Sequence, residues 1–118
     1  MAAPLVRKTY FIVMVADMGR AVHFYAEAFG ASVSLHTPYW SEVVVAGATV
    51  ALHPGGTGDD RDTGLGFEVD DLDVALAWTV KHGGRVVAPA RDRPGEGIRI
   101  ATIADTEGNI LSTAESTR

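Results

Sequence analysis

No cysteine occurs among the 118 residues, which excludes a disulfide scaffold, a Cys-ligated zinc and a thiol nucleophile. No apolar run is long enough to span a membrane, and the opening MAAPLVRK lacks the apolar segment of a signal peptide. The expectation from these absences is a cytoplasmic protein. Positive charge is scarce as well, with 10 Lys and Arg against 15 Asp and Glu and a formal net charge of −5. A nucleic-acid surface would need a basic footprint, so that partner class is excluded along with the membrane. The negative balance mainly keeps a small protein soluble, and it mildly favours cationic ligands. The glycine-rich PGGTGDDRDT stretch, residues 54–63, is not followed by Gly-Lys-Ser/Thr, so it reads as a polar linker rather than a phosphate cradle.

What is present is one domain, 1–118, built as a repeat. Tyr10 to Val15 is a run of six apolar residues, as in a strand covered on both faces. Asp17 then offers a helix N-cap, and Ala21, Phe24, Tyr25, Ala28 and Phe29 form an apolar stripe that Gly30 ends. Ser32 to His36, Trp40 to Val45 and Ala48 to His53 read as strands, the last two joined by a tight Ala46-Gly47 turn. After the linker, a strand at Leu65 to Val69, a cap at Asp71, a stripe of Leu72, Ala75, Leu76, Thr79 and Val80, and a Gly83-Gly84 stop repeat the plan. A shift of 54 residues carries Asp17 onto Asp71, Ala21 onto Ala75, Phe24 onto Trp78 and Gly30 onto Gly84. Strands at Arg85 to Val87, Ile98 to Ile103 and Asn109 to Thr113 follow, with a charged loop from Pro89 to Gly97 and a turn at Asp105 to Gly108. The fold class is therefore α+β: two βαβββ modules, 8–53 and 64–115.

A module of this form, with Val15, Asp17, Ala21, Phe24-Tyr25 and Gly30 in the first copy and Asp105, Gly108 and Asn109 in the second, resembles the vicinal oxygen chelate superfamily. That group includes glyoxalases, extradiol dioxygenases and the bleomycin and fosfomycin resistance proteins. The resemblance implies a cupped mixed sheet, with metal ligands on the first and last strand of each module. Those positions fall at Tyr10 and Ala51 in the first module and at Gly64 and Ser112 in the second. Ala51 and Gly64 have no ligating atom, and Tyr and Ser are not ordinary ligands for a divalent ion in such a site. The expectation is a cup with no metal and no cofactor.

Alternation along the strands assigns the faces of that cup. Tyr10, Ile12 and Met14 point in, as do Gly64, Gly66 and Glu68. On the last strands Thr49, Ala51, His53, Ile110 and Ser112 do the same, and a two-residue turn at Ala46-Gly47 adds Trp40 and Glu42. Rings, a thioether and a few polar groups suit a flat aromatic or cationic organic ligand, with Tyr10, Ile12, Met14, Trp40, Glu42 and Ser112 as its contacts. Glu68 is either functional or the structural partner of Arg99, and His53 stands at a strand end. These two, with Tyr10 as a third choice, are the candidates for proton transfer if the cup is catalytic. His23, His36 and His82 read as surface residues.

Two functions follow as expectations. One is a metal-independent binding protein that sequesters a small organic compound, similar to the drug-sequestering resistance proteins. For short two-module members the resemblance implies a homodimer in which two subunits complete two sites. The other is a metal-independent lyase, isomerase or cyclase, and a metal-dependent glyoxalase-like or dioxygenase activity ranks third.

Overall fold

The structure, a computed structural model, describes residues 2–118; Met1, counted above in the single domain, lies outside them. The first module is β1 (Tyr10–Val15), α1 (Met18–Phe29), β2 (Ser32–His36), β3 (Ser41–Val45) and β4 (Ala48–Pro54). The second is β5 (Arg61–Glu68), α2 (Leu72–Lys81), β6 (Arg85–Arg93), β7 (Ile98–Ala104) and β8 (Asn109–Ser116). Each module forms its own four-stranded mixed sheet, ordered β1-β4-β3-β2 and β5-β8-β7-β6. In each, the first and last strands lie parallel and adjacent, because the helix supplies the crossover that parallel pairing requires. Among the described residues no helix is long and apolar enough to cross a membrane.

Both helices begin as the sequence predicts. The Asp17 carboxylate accepts from the Arg20 N–H and the Asp71 carboxylate from the Val74 N–H, satisfying donors that the first turn leaves free. Gly30 stops α1 at φ 64°, in the left-handed region. The apolar stripes do not bury equally. In α1, Ala21, Phe24 and Tyr25 are fully buried, whereas in α2 Leu72 and Thr79 are buried but Val80 is 58% exposed. Phe24 loses all contact with water and its repeat counterpart Trp78 stays 41% exposed. Helix α1 is covered from both sides, by its own sheet and by the second module: Tyr25 and Phe29 both meet the ring of Phe67. Full burial of rings of this size is the largest single source of stability available, roughly 1.5–3 kcal/mol each.

Two boundaries and one register differ from expectation. Strand β5 starts at Arg61, inside the stretch read as a linker, because the Arg61 N–H donates to the Gly108 carbonyl and draws the polar run alongside β8. Between Asp62 and Gly66 the register slips, with Thr63, Gly64 and Leu65 of β5 set against Leu111 alone of β8. The slip centres on Gly64 at φ 78°, and the Thr63 hydroxyl fills it by donating to the Ile110 carbonyl at 2.7 Å. Strand β6 runs on to Arg93 through Pro89, where a loop was expected. It can do so because β6 is an edge strand whose register shifts on both sides of Ala88, so the missing proline N–H breaks no ladder.

The modules are joined by the turn between β7 and β8. Asp105, 4% exposed, accepts from the Tyr25 hydroxyl at 2.6 Å and from the backbone N–H groups of Glu107 and Asn109. The Asn109 amide donates both to Asp105 and to the Met14 carbonyl on β1. Glu107, 2% exposed, accepts from the N–H groups of Ala16 and Asp17 and from the Arg20 guanidinium at 2.8 Å. Gly108, at φ 83°, lies so near the Gly58–Asp59 backbone that an added Cβ would stand 2.4 Å from the Asp59 carbonyl oxygen.

The two carboxyls act in opposite directions with pH. Burial raises the Glu107 value, but the Arg20 bond, the Thr106 hydroxyl and the backbone donors outweigh it, leaving the pKa below the ordinary value. Its stabilisation is therefore complete above the ordinary carboxylate pKa and is lost as pH falls through the folded value. Burial holds Asp105 above its ordinary value against the Tyr25 and Asn109 bonds, so its contribution is full in acid and declines as pH rises through the folded pKa. Glu107→Gln is expected to lower stability at neutral pH by about 1–3 kcal/mol and to flatten the acid limb, as read by urea titrations from pH 7 to pH 3. An acid limb as steep as the parent's would remove Glu107 from that role. Gly108→Ala is expected to lose about 2–4 kcal/mol by the same titration at neutral pH, since it combines a backbone clash with an unfavourable φ.

Candidate functional site

The register that the Ala46-Gly47 turn implied is the one the strands adopt. Glu42 lies opposite Ala51 and Val45 opposite Ala48, while Tyr10, Ile12 and Met14 of β1 pair with Thr49, Ala51 and His53 of β4. Tyr10, Ile12, Met14, Glu42, Ala51 and His53 thus share the open face of the first sheet. Their neighbours Val13, Val15, Val43, Val50 and Leu52 are buried under α1.

On that open face the rings form a chain. Tyr10 meets Trp40 edge-on at 5.6 Å between centroids, and Trp40 meets His53 edge-on at 6.0 Å. The indole N–H of Trp40 donates to Glu42 at 2.7 Å, and the ammonium of Lys8 pairs with the other oxygen of the same carboxylate. The Lys8 bond first, and the Trp40 bond after it, hold the Glu42 carboxyl below its ordinary pKa. Glu42, expected among the ligand contacts, brackets the indole plane through these two bonds. Lys8 was missed because it precedes the first strand, where no periodicity assigns a face. A cleft of about 490 Å³ opens beside Tyr10, walled by Lys8, Thr9, Phe11 and the Gly47–Thr49 backbone.

His53 is exposed, with its Nδ1 2.6 Å from the Pro54 carbonyl oxygen. A carbonyl only accepts, so Nδ1 carries the proton, and in the neutral ring Nε2 is left as the free base. Ile12 and Tyr10 are each 47% exposed on this face.

The second sheet does not contribute to this cluster. Gly66 lies opposite Ser112, as alternation required, and Ser112 with Gly64, Thr102 and Ile110 walls a separate cleft of about 300 Å³. Glu68 is exposed and borders yet another cleft. Arg99 is not its partner, since that guanidinium lies among Asp73, Asp92 and Glu115. His82 is not a surface residue as expected. It is half-buried, stacked 5.4 Å from Trp78, with its Nε2 unpartnered.

The positions at which the resemblance implies a metal can be tested on their chemistry. Ala51 is fully buried with no donor, Gly64 has no side chain, and only the Tyr10 phenol and the Ser112 hydroxyl remain. Among the described residues no three His, Asp or Glu side chains converge. This donor set does not fit a divalent ion, which needs several carboxylate, imidazole or thiolate ligands.

A family model for the Glyoxalase/Bleomycin resistance protein/Dioxygenase superfamily matches residues 8–113. The chain belongs to that superfamily. A fosfomycin resistance protein, FosX, from Listeria monocytogenes superposes with a TM-score of 0.77 at 17% identity, covering 99% of this chain and 96% of that one. FosX from Mesorhizobium loti gives 0.71 at 19% identity, covering 99% and 95%. A glyoxalase/bleomycin resistance protein/dioxygenase family enzyme from Burkholderia phytofirmans PsJN gives 0.74 at 14% identity, covering 91% and 96%. At these identities the likeness is one of fold. A comparison with curated proteins finds no match.

If Glu42 is the bracket that orients the indole, Glu42→Gln weakens the grip of Lys8 and frees Trp40. Fluorescence anisotropy and quenching of tryptophan should then report a more mobile, more accessible indole. An unchanged Trp40 signal would show that the ring is held by packing alone.

Proposed function

We propose that the protein is a metal-independent binder of small organic compounds, taking an aromatic or cationic ligand on the open face of the first sheet. The observation that carries this reading is the Tyr10–Trp40–His53 ring chain, locked through Glu42 and Lys8, at the place where the superfamily resemblance implies a metal ligand. Preset rings offer stacking area at little entropic cost, and sequestration needs only affinity. The fosfomycin resistance proteins of the same fold support a resistance-like role.

Dimerisation fits the same reading. Tyr10 and Ile12 leave an apolar face half-exposed, and the Ser112 cleft of a second copy would close over it, giving two sites per homodimer. A second reading rests on one contact, the 2.6 Å approach of His53 Nδ1 to the Pro54 carbonyl. With Nδ1–H held by the Pro54 carbonyl, Nε2 is positioned to take a proton from a ligand on the rings, as a lyase or isomerase would require.

Elemental analysis of the purified protein is expected to find no stoichiometric divalent metal, and one tightly held equivalent would overturn the reading. A thermal-shift screen of aromatic and cationic compounds should find ligands that raise the melting temperature, since binding at 100 times Kd adds about 2.7 kcal/mol. Trp40→Ala should weaken those ligands about tenfold through lost stacking. Unaltered affinity would move the site away from the open face. Loss of turnover in His53→Gln with binding retained would favour the enzyme reading.

A further inference from the structure

One cleft, away from the open face of the first sheet, bears none of the ring-chain residues. It has a volume of about 600 Å³ and lies between the modules, with Phe11, Phe29, Leu65 and Phe67 as its apolar walls and the Val45–Val50 hairpin along one side. A second cleft of about 340 Å³ runs on from it over the helices to Ala28, Val74 and Trp78. The two share Phe29, Val69 and Asp70, so they form one continuous trough. Phe29 and Phe67 meet edge-on at 4.9 Å in its wall, and Val74 and Trp78 at its far end are 49% and 41% exposed. The combined space is that of a drug-sized organic molecule.

Its lining charges are of one sign. Glu68 and Asp70 rim the larger part, Glu27, Asp70 and Asp71 the smaller, and no lysine or arginine lines either. Among the described residues Glu27, Glu68 and Asp70 enter no ion pair; each carboxylate is solvated and free to face a guest. An apolar trough with a mainly anionic rim, whose far end also carries the Lys81 ammonium over Trp78, attracts a cation to its Glu68–Asp70 part and desolvates an apolar body, and the faces of the phenylalanine rings favour positive charge too. Lys81, 4.6 Å above the Trp78 ring, and His82 stacked on it keep that indole in place at the trough's end.

We propose that this inter-module trough is a second ligand site, selective for bulky hydrophobic organic cations. It is separate from the open face of the first sheet and does not depend on that site. It gives Glu68 a role that neither proton transfer nor a structural pairing with Arg99 supplies: one half of an electrostatic rim.

The experiment uses two probes of one shape and opposite charge, tetraphenylphosphonium and tetraphenylborate. With only two tryptophans in the chain, Trp40→Phe leaves Trp78 as the sole indole reporter. In that background the phosphonium should change Trp78 emission saturably and the borate should not. Adding Glu68→Gln with Asp70→Asn should weaken the phosphonium about tenfold and abolish the discrimination, because two nearby charges are removed. Both side chains are exposed, so the fold should tolerate the change. Tyr10→Ala should leave the phosphonium titration unaltered, which separates this site from the one on the open face. The proposal is overturned if the borate binds as well as the phosphonium, or if the double variant binds the phosphonium unchanged. It is also overturned if sedimentation shows a dimer in which Trp78 becomes inaccessible to acrylamide, for then a second copy fills the trough.

Discussion

The buried polar turn between β7 and β8 is the constraint on which the rest of the molecule depends. Two sheets that share no ladder must be held at a fixed angle if side chains from both are to form one core. Apolar contact alone resists separation but tolerates sliding. Asp105, Glu107 and Asn109 remove that freedom: Asn109 donates to the Met14 carbonyl of β1, and the two carboxylates accept from the entry to α1 and from Tyr25 in the middle of α1. Such groups are costly to bury without partners, and the two carboxylates and the Asn109 amide nitrogen all find them here, although the Asn109 Oδ1 is buried without one. The aromatic seam of Tyr25, Phe29 and Phe67 packs in the position those bonds set.

The duplication shows how far one local pattern can diverge in its tertiary use. Both helices carry a carboxylate cap, an apolar stripe and a glycine stop, and both form where expected. Yet Phe24 is sealed against Gly84, whose missing side chain leaves space that a Cβ would fill at 2.8 Å from the ring, while Trp78 remains half in water. Tyr10 and Gly64, equivalent by the repeat, have become a ring platform and a bulge. The first module kept the large side chains of an open face and the second kept the polar turn that holds the modules together.

Much of this was legible in the sequence. Period-two alternation in β1 and the two-residue turn between β3 and β4 set the faces of Tyr10, Ile12, Met14, Glu42 and His53, because each constraint fixes parity directly. The part not legible has one physical character: it depends on pairings between distant residues that no local period encodes. Lys8 reaches Glu42 from a segment without regular structure, and Arg61 joins β5 through a carbonyl on the turn at Gly108. Pro89 argued against a strand, and only the edge position of β6 admits it. Glu68 was expected to face the cup, but its surroundings come from where the modules meet, which the repeat does not state.

The carboxylates at the two helix entries differ in their origin. Helix α2 receives Glu115 at the Leu72 N–H, from β8 of its own module. Helix α1 receives Glu107, from the other module, at the N–H groups of Ala16 and Asp17. The first module cut off at the linker would retain its sheet pattern, but with two orphaned donors and an unpaired arginine at the start of its helix. The second could complete both of its helix ends unaided. Cooperativity in this protein is therefore directional, with the second half self-sufficient at its helix and the first half finished only by its neighbour.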